Sequence, residues 1–301
     1  MEALAASRQT HAKFRTASTN TLKQMKEMNT PLRRPVTLQA ISAFFCLLLA
    51  TLLPGTLYAQ SASCTATSDG TWTGTATWEV TGSPGTTCVG QGTDDYPSGG
   101  QDVVLETFVV ELDADITVGS YTHKGDFFVL DGGDLTVNGD FTVENGSQAS
   151  TFNSQFGSVK SGSSGIIDVN GDVINNGNLN VRRENANNTI GELRIEGNFT
   201  NNGSFNPQVF SNQKPGTVVF DGGASQSVSG TSDFTGVNAI QILQVEGTGT
   251  AVTFGPDLEI TEASSVESGA ELIVNGSLDA SPGTTGGSIG GAGTITLNGT
   301  V

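Results

Sequence analysis

DLTVNGDFTVENG, residues 134–146, indicates most clearly how this chain folds. Apolar and polar residues alternate on both sides of Asn138-Gly139, which is typical of two short strands joined by a tight turn. Close relatives of it recur as IIDVNGDVINNG (166–177), ELRIEGNFTNNG (192–203), ELIVNGSLDASPG (271–283) and TITLNGTV (294–301). The same unit is therefore used again and again along the chain.

A glycine ends each recurring strand in the pattern apolar, any, apolar, Asn/Glu/Asp, Gly. The pattern places it at Gly139, Gly171, Gly197, Gly222, Gly247, Gly276 and Gly299. Recurrence at unequal intervals of about 26 residues indicates a solenoid, because a propeller blade needs ~40 residues. The sequence predicts an all-β chain whose residues 102–301 form a right-handed parallel β-helix, with coils joined by loops of unequal length. An array of β-sandwiches and separate β-hairpins, for which Asn-Gly is also the strongest signal, stay open as alternatives.

Within one unit the alternation predicts which side chains are buried. Leu135 and Val137 are expected to point into the core from one strand, and Phe141 and Val143 from the next. The Asn138-Gly139 and Asn145-Gly146 pairs are expected to form the corners because both residue types tolerate a positive φ.

The segment 1–59 has the order of a secretory signal. It holds seven of the 13 Lys and Arg, then an apolar stretch centred on ISAFFCLLLATLL, then small residues near Ala59. The apolar part is shorter than the ~20 residues of a membrane-spanning helix, which argues against the alternative of an anchor. We predict a signal peptide at 1–59, and Met25 or Met28 is an alternative start. The chain is then secreted, with no membrane span after removal of the signal.

Past residue 59 the chain is strongly acidic. It keeps six Lys and Arg and every one of the 30 Asp and Glu except Glu2 and Glu27, a formal charge of 6 − 28 = −22. Binding to nucleic acid needs clustered cations, so this composition excludes nucleic acid as a partner. An extracellular protein that is kept soluble by its charge fits the composition.

Residues 60–101 differ from the rest and predict a separate β-rich head that caps the coils. Cys64 and Cys88 are an even pair in an exported chain and predict a disulfide, with lipid modification of Cys64 as the alternative. In TWTGTATWEV, alternation along one strand would put Trp72 and Trp78 on the same face, where two large rings can close an open hydrophobic end.

Few residues after position 59 suit catalysis. His123, the one histidine there, is expected to be a solvated loop residue, and no catalytic residue is predicted. Paired carboxylates are the remaining enzymatic pattern, because two Asp or Glu can divide acid and base roles on a polysaccharide. They are Asp131, Asp134, Asp140, Asp168 and Asp172. They also stand at predicted corners, where Asp is favoured for turn geometry alone.

No cofactor is predicted, with one alternative. TDDYPSGGQD, with Asp94, Asp95 and Asp102, is an oxygen-rich loop of the kind that binds Ca²⁺. A solvated acidic loop is the other interpretation of the same residues.

The head also carries a resemblance. Trp72, Trp78, Pro97 and QDVVL (101–105), followed by glycine-bounded strands, resemble the opening of secreted surface proteins of Bacteroidota and their relatives. The later LTVNGDFTVENG coils look like the β-helical regions of such adhesin-like proteins and, distantly, like filamentous haemagglutinin repeats. The resemblance implies export and display at the cell surface, and it implies no set of catalytic residues. The C-terminal sorting domain usual in such proteins is not found here.

From these observations we predict an exported, non-enzymatic, structural or adhesin-like protein of the cell surface or extracellular matrix. Polysaccharide or other surface molecules are its expected partners. Because TITLNGTV ends within a coil, the chain is expected to be truncated at its C-terminus or to self-associate through the open coil. A β-helical polysaccharide lyase or hydrolase is the first alternative, and a carbohydrate- or calcium-binding module of a larger enzyme is the second.

Overall fold

The computed structural model describes residues 63–300 except 75–77, 84, 89, 91–94, 107, 109, 125–127, 131–132, 151–164, 185–190, 206–212 and 281–286. They belong to one compact unit, Ala59–Val301. The predicted signal peptide lies outside the described residues. Three long sheets run through the unit, and the chain visits the first, second and third sheet in turn. The parallel β-helix is thereby confirmed, with one passage around the three sheets making one coil.

The first sheet has eleven strands, and ten of them pair in parallel with the neighbouring coils. In chain order its strands are Cys64–Ala66, Trp78–Val80, Val103–Leu105, Tyr121–His123, Phe141–Val143, Val173–Asn175, Phe199–Asn201, Ser225–Ser229, Ala251–Phe254, Glu271–Val274 and Thr294–Leu297. Trp78–Val80 is the exception, because it pairs antiparallel with Cys64–Ala66 at the edge of the sheet.

The second and third sheets are parallel throughout. The second consists of Gly70–Thr71, Val110–Leu112, Phe128–Leu130, Gln148–Ser150, Asn178–Asn180 and Ser204–Phe205. The third consists of Ile116–Val118, Leu135–Val137, Ile166–Val169, Glu192–Ile195, Thr217–Phe220, Ile242–Val245, Ala263–Val266 and Ser288–Gly291.

Beyond Phe205 the second sheet stops. In the next coil its place is taken by a 3-10 helix, Gly236–Asn238, and in the coils after that by a small parallel pair, Leu258–Glu259 with Leu278–Asp279. An antiparallel pair, Arg182–Glu184 with Gln213–Pro215, leaves the coils between the second and third sheets. In the described part of the chain no helix is long and apolar enough to cross a membrane.

The core follows the predicted alternation. Leu135, Val137, Phe141 and Val143 are all fully buried, as expected from the first quoted stretch. Aromatic side chains stack from coil to coil inside the helix, and the ring of Tyr121 lies 5.4 Å from that of Phe141. Such pairs add to the burial of large apolar area, so the coils are held together from within.

The seven predicted corner glycines fall into two groups. Gly139, Gly171, Gly197, Gly222 and Gly247 follow strands of the third sheet, whereas Gly276 and Gly299 follow strands of the first sheet. Similar sequence patterns therefore mark two different corners. The pattern passes from one corner to the other between Gly247 and Gly276.

The reason for glycine at these corners also differs from the prediction. Of the seven, only Gly247 has a positive φ, at 82°. At Gly171 the constraint is close approach: a Cβ would lie 2.5 Å from the carbonyl carbon of Gly139 and 2.7 Å from Asp140 Oδ1 in the preceding coil. The prediction was correct for Gly146, where φ is +85°.

The described part of the head extends the first and second sheets and contributes no strand to the third. Cys64 and Cys88 form the predicted disulfide, with their Cα atoms 5.8 Å apart. Trp72 and Trp78 are fully buried with ring centroids 4.6 Å apart, and each indole N–H donates to a backbone carbonyl, of Pro97 and Trp72 respectively. The single strand predicted through both residues is wrong, because Trp72 lies in a turn after Gly70–Thr71.

Candidate functional site

The predicted carboxylates stand at stacked corners and serve the backbone. Asp140 Oδ1 accepts the backbone N–H of Asp172 at 2.9 Å, and Asp172 Oδ1 accepts that of Asn198 at 2.7 Å. Asp134 Oδ1 does the same for Ile166 at 2.8 Å. Each side chain thus satisfies a donor of the next coil, in the way an N-cap satisfies a helix. Asp131 lies outside the described residues.

Asp168 is different, because it lies on the third sheet. Its neighbour in the next coil is Arg194, which pairs with it in register. Arg194 contacts three carboxylates at once: Glu192 at 2.7 Å, Asp221 at 2.6 Å and Glu246 at 2.9 Å. We call Asp168, Glu192, Arg194, Asp221 and Glu246 the acidic cluster. It gathers four carboxylates around one guanidinium.

Burial and neighbouring charges shift the pKa values of Asp168 and Arg194 in the acidic cluster. Burial raises the pKa of Asp168, nearby Asp221 raises it further, and Arg194 offsets part of the increase. For Arg194, burial disfavours the charge, but its hydrogen bonds to Glu192, Asp221 and Glu246 outweigh this and raise its pKa. Arg194 therefore stays protonated and acts as a fixed counter-ion, so it is unsuited to remove a proton from a substrate.

Sequence reasoning missed this cluster although its signal was present. Asp168 and Arg194 are separated by one coil, and Asp221 and Glu246 follow equivalent strands of the third sheet. Aligning the units on their third-sheet strands would have placed these residues in neighbouring coils. The repeat pattern allows any residue at the position of Asp168 and Arg194, so it did not single them out.

A polar groove crosses the corner between the first and second sheets. It has a volume of about 390 Å³ and lies over neighbouring coils. Its polar side chains are five amides and two hydroxyls: Asn145, Asn176, Asn178, Asn202, Asn238, Ser204 and Ser232. We call it the amide groove. None of its lining residues within the described part of the chain carries a charge.

The amide groove rests on hydrogen-bonded amides. Asn202 Nδ2 donates to Asn176 Oδ1 at 3.0 Å, and Asn202 Oδ1 accepts the backbone N–H of Thr231 at 3.1 Å. Beneath them the fully buried Asn175 donates to Asn201 Oδ1 at 2.8 Å. Amides that bond to the next coil in this way hold the surface of the groove in one geometry.

The predicted calcium loop is only partly described. Asp94 lies outside the described residues, Asp95 is exposed, and Asp102 Oδ1 accepts both the N–H and the hydroxyl of Ser120, at 2.8 and 2.7 Å. Among the described residues no three His, Cys, Asp or Glu side chains gather in a way that could hold a metal ion. The calcium loop stays a prediction.

His123 is placed differently from the prediction. It lies in the strand Tyr121–His123 and is fully buried, with its Nδ1 3.3 Å from the hydroxyl of Tyr121. Burial also raises the pKa of Tyr121 well above its ordinary value. The alternation Tyr121, Thr122, His123 points the first and third side chains inward, so His123 is a core residue and not a loop residue.

No family model, curated protein or solved structure matches the chain. The sequence resemblance to surface proteins therefore stays a prediction. The features of the structure that bear on function are the corners, the acidic cluster and the amide groove.

Proposed function

We propose that this chain is an exported, non-enzymatic structural or adhesin-like protein that presents a parallel β-helix at the cell surface or in the extracellular matrix. The observation that carries the proposal is the use of the corner side chains. Asp134, Asp140, Asp172 and Asn198 each bind a backbone N–H of the next coil. Side chains used in this way stabilise the stack.

Composition supports the same proposal. The leader-like segment 1–59, the disulfide between Cys64 and Cys88 and the excess of Asp and Glu suit an oxidising, extracellular setting. Side chains at matching positions of successive coils present repeated polar rows to solvent, such as Thr117 and Thr136 on the third sheet. Repeated rows provide a broad surface for contact, which is what a display protein requires.

Surface labelling of intact cells of the source organism tests this proposal. Antibody raised against the purified protein is expected to stain intact cells, and brief protease treatment of those cells is expected to remove the stain. Deletion of the gene is expected to reduce attachment of the cells to a coated surface. Protein found only inside the cells, with attachment unchanged, would contradict the proposal.

A second candidate function is cleavage of an acidic polysaccharide, and the acidic cluster is the observation that favours it. Asp168, with its raised pKa, lies on the outer surface of a parallel sheet beside the guanidinium of Arg194. A carboxyl with a raised pKa near a cation has the elements of general-acid chemistry. Release of new reducing ends from polygalacturonate by the purified protein, abolished by Asp168→Asn, would establish this function; unchanged polymer would exclude it for that substrate.

A further inference from the structure

We propose that the amide groove binds a linear, uncharged polysaccharide along the direction in which the coils stack. This inference rests on the proposed function, because it names the class of surface molecule that a displayed β-helix would hold. Its starting point is the uniform chemistry of the groove, which is lined by Asn and Ser side chains and by glycine backbone.

The chemistry of the lining selects the class of ligand. An Asn side chain offers two N–H donors and a carbonyl acceptor, and a serine hydroxyl offers both roles. Sugar hydroxyls also donate and accept, so a polyhydroxylated chain can satisfy such a surface without bringing a charge. An acidic polymer would approach a protein whose formal net charge is already −17, and it would find no cation among the lining residues.

Some of these groups remain available for a ligand. The side chains of Asn178 and Ser204 make no hydrogen bond within the part of the chain that the structure describes; only their backbones take part in stacking. Asn176 and Asn202 are held in place by their mutual bond. Because the amides of Asn176 and Asn202 are already fixed beside the donors of Asn178 and Ser204, a ligand can bind with little loss of side-chain conformational entropy.

The spacing of the lining fits a polymer. Asn145, Asn176 and Asn202 occupy the same corner in three successive coils, as shown by the parallel pairing of the strands before and after them. Coils stack at ~4.8 Å, close to the length of one hexose unit in an extended chain. Each coil can therefore contact one sugar.

One end of the amide groove adds an apolar contact. The 3-10 helix Gly236–Asn238 forms this end, where Asn238 Oδ1 accepts the backbone N–H of Phe205 at 3.1 Å. Val237, immediately before Asn238, is 73% exposed. An exposed apolar side chain beside a polar groove suits the C–H face of a sugar ring, whose edge carries the hydroxyls.

Affinity electrophoresis of the purified protein tests the proposal, with mixed-linkage β-glucan and mannan as neutral probes and polygalacturonate as the acidic probe. We expect at least one neutral polymer to retard the protein and polygalacturonate to leave it unretarded. Asn178→Ala together with Ser204→Ala is expected to weaken the retardation at least tenfold. Thr117→Ala with Thr136→Ala, which removes two side chains of the third sheet, is the matched control and should bind as before.

Three outcomes would overturn the proposal: no retardation by either neutral polymer, equal retardation by polygalacturonate, or unchanged binding after the Asn178 and Ser204 changes. Urea unfolding of each variant verifies that its coils are intact. Surface labelling distinguishes failure of the groove proposal from failure of the proposed function. If the protein is found on intact cells but binds neither neutral polymer, only the groove proposal is contradicted. Neutral-polymer binding by a protein that does not reach the surface contradicts only the display role.

Discussion

Two corners of the same coil turn the chain from one sheet to the next by different means. Between the third and first sheets, Gly139, Gly171 and Gly197 stack directly, each N–H bonding to the glycine carbonyl of the coil before it at 2.6, 3.1 and 3.1 Å. Between the first and second sheets, Gly146 turns with φ +85° and has open space around it. We call these the closed corner and the open corner.

An Asn-Gly pair can therefore mark two different kinds of corner in a solenoid. At the closed corner, glycine is needed because the backbone of the previous coil occupies the space of a side chain. At Gly146 of the open corner, glycine is needed for its φ, and the space beside it belongs to the amide groove. In the next two coils the same corner is also tightly packed, because a Cβ at Gly177 would lie 2.5 Å from the carbonyl oxygen of Ser147 and one at Gly203 2.8 Å from the carbonyl carbon of Asn176. Local sequence is nearly the same in both cases, so the contrast arises from packing between coils.

Alanine substitutions at Gly171 and Gly146 distinguish the two corners directly. Gly171→Ala forces a Cβ into the backbone of Gly139 and should lower the free energy of unfolding by about 3 kcal/mol, as overpacking does. Gly146→Ala meets no neighbour and carries only the cost of a left-handed alanine, about 1 kcal/mol. Urea unfolding curves of both variants measure this, and equal losses would show that the close approach of Gly171 to Gly139 costs no more than a left-handed alanine.

A smaller effect concerns the carboxylates of the closed corner. Asp172→Ala removes the acceptor for the N–H of Asn198 and should cost about 1 kcal/mol of unfolding free energy. Asp172→Asn keeps a carbonyl oxygen in that position and should cost less than half as much. Thermal unfolding of the two variants gives the ranking. If alanine and asparagine are equally harmful, the role of Asp172 is its charge and not its hydrogen bond.

The carboxylate on the third sheet, Asp168, should make stability depend on pH. Because the folded pKa of Asp168 is raised above 3.8, the folded protein binds the proton more tightly, and this group lowers the free energy of unfolding as pH rises from 3.8 through the folded pKa. Asp168→Asn should abolish that loss. Melting temperatures across this pH range measure it, and a variant with the same pH profile as the parent would contradict the assignment.

The change expected to affect folding stability least is the deamidation of asparagine. In Asn-Gly pairs, the glycine nitrogen can attack the side-chain carbonyl and release ammonia, and water then opens the resulting succinimide to aspartate or isoaspartate. Gly171 N–H is bonded to Gly139, whereas Asn145 and Gly146 are exposed at the open corner. Peptide mapping after storage in mildly alkaline buffer should find conversion at Asn145 well before Asn170. Equal conversion at both positions would mean that the closed corner opens readily.

Much of the fold was predictable because a coil is a local repeat. Strand alternation placed Leu135, Val137, Phe141 and Val143 in the core, and the recurring glycine indicated stacked coils. The glycine could not reveal which corner it marks, since ITLNG at Gly299 matches LTVNG at Gly139 but follows a different sheet. That assignment depends on loop lengths between strands, which the motif does not contain.

The candidate sites were harder to predict for the same reason. Whether Asp168 lies beside Arg194 depends on the register between coils, and a slip by a single position would place one of them inside the core. The amide groove depends on the second sheet ending at Phe205, where the 3-10 helix takes its place. His123, by contrast, could have been placed correctly, because its alternation with Tyr121 already points it inward.

The parallel stacking has a mechanical consequence. Backbone hydrogen bonds of all three sheets run along the stacking direction, so tension in that direction pulls them apart end-on, one coil after another. Ile195 and Phe220 are partners in register on the third sheet, so the chain between them makes one coil. Such a coil adds ~4.8 Å to the folded stack but releases ~85 Å of extended chain when it peels away. A tether made of such coils yields in steps, dissipating a sudden load over many small ruptures before its anchor has to bear the whole force.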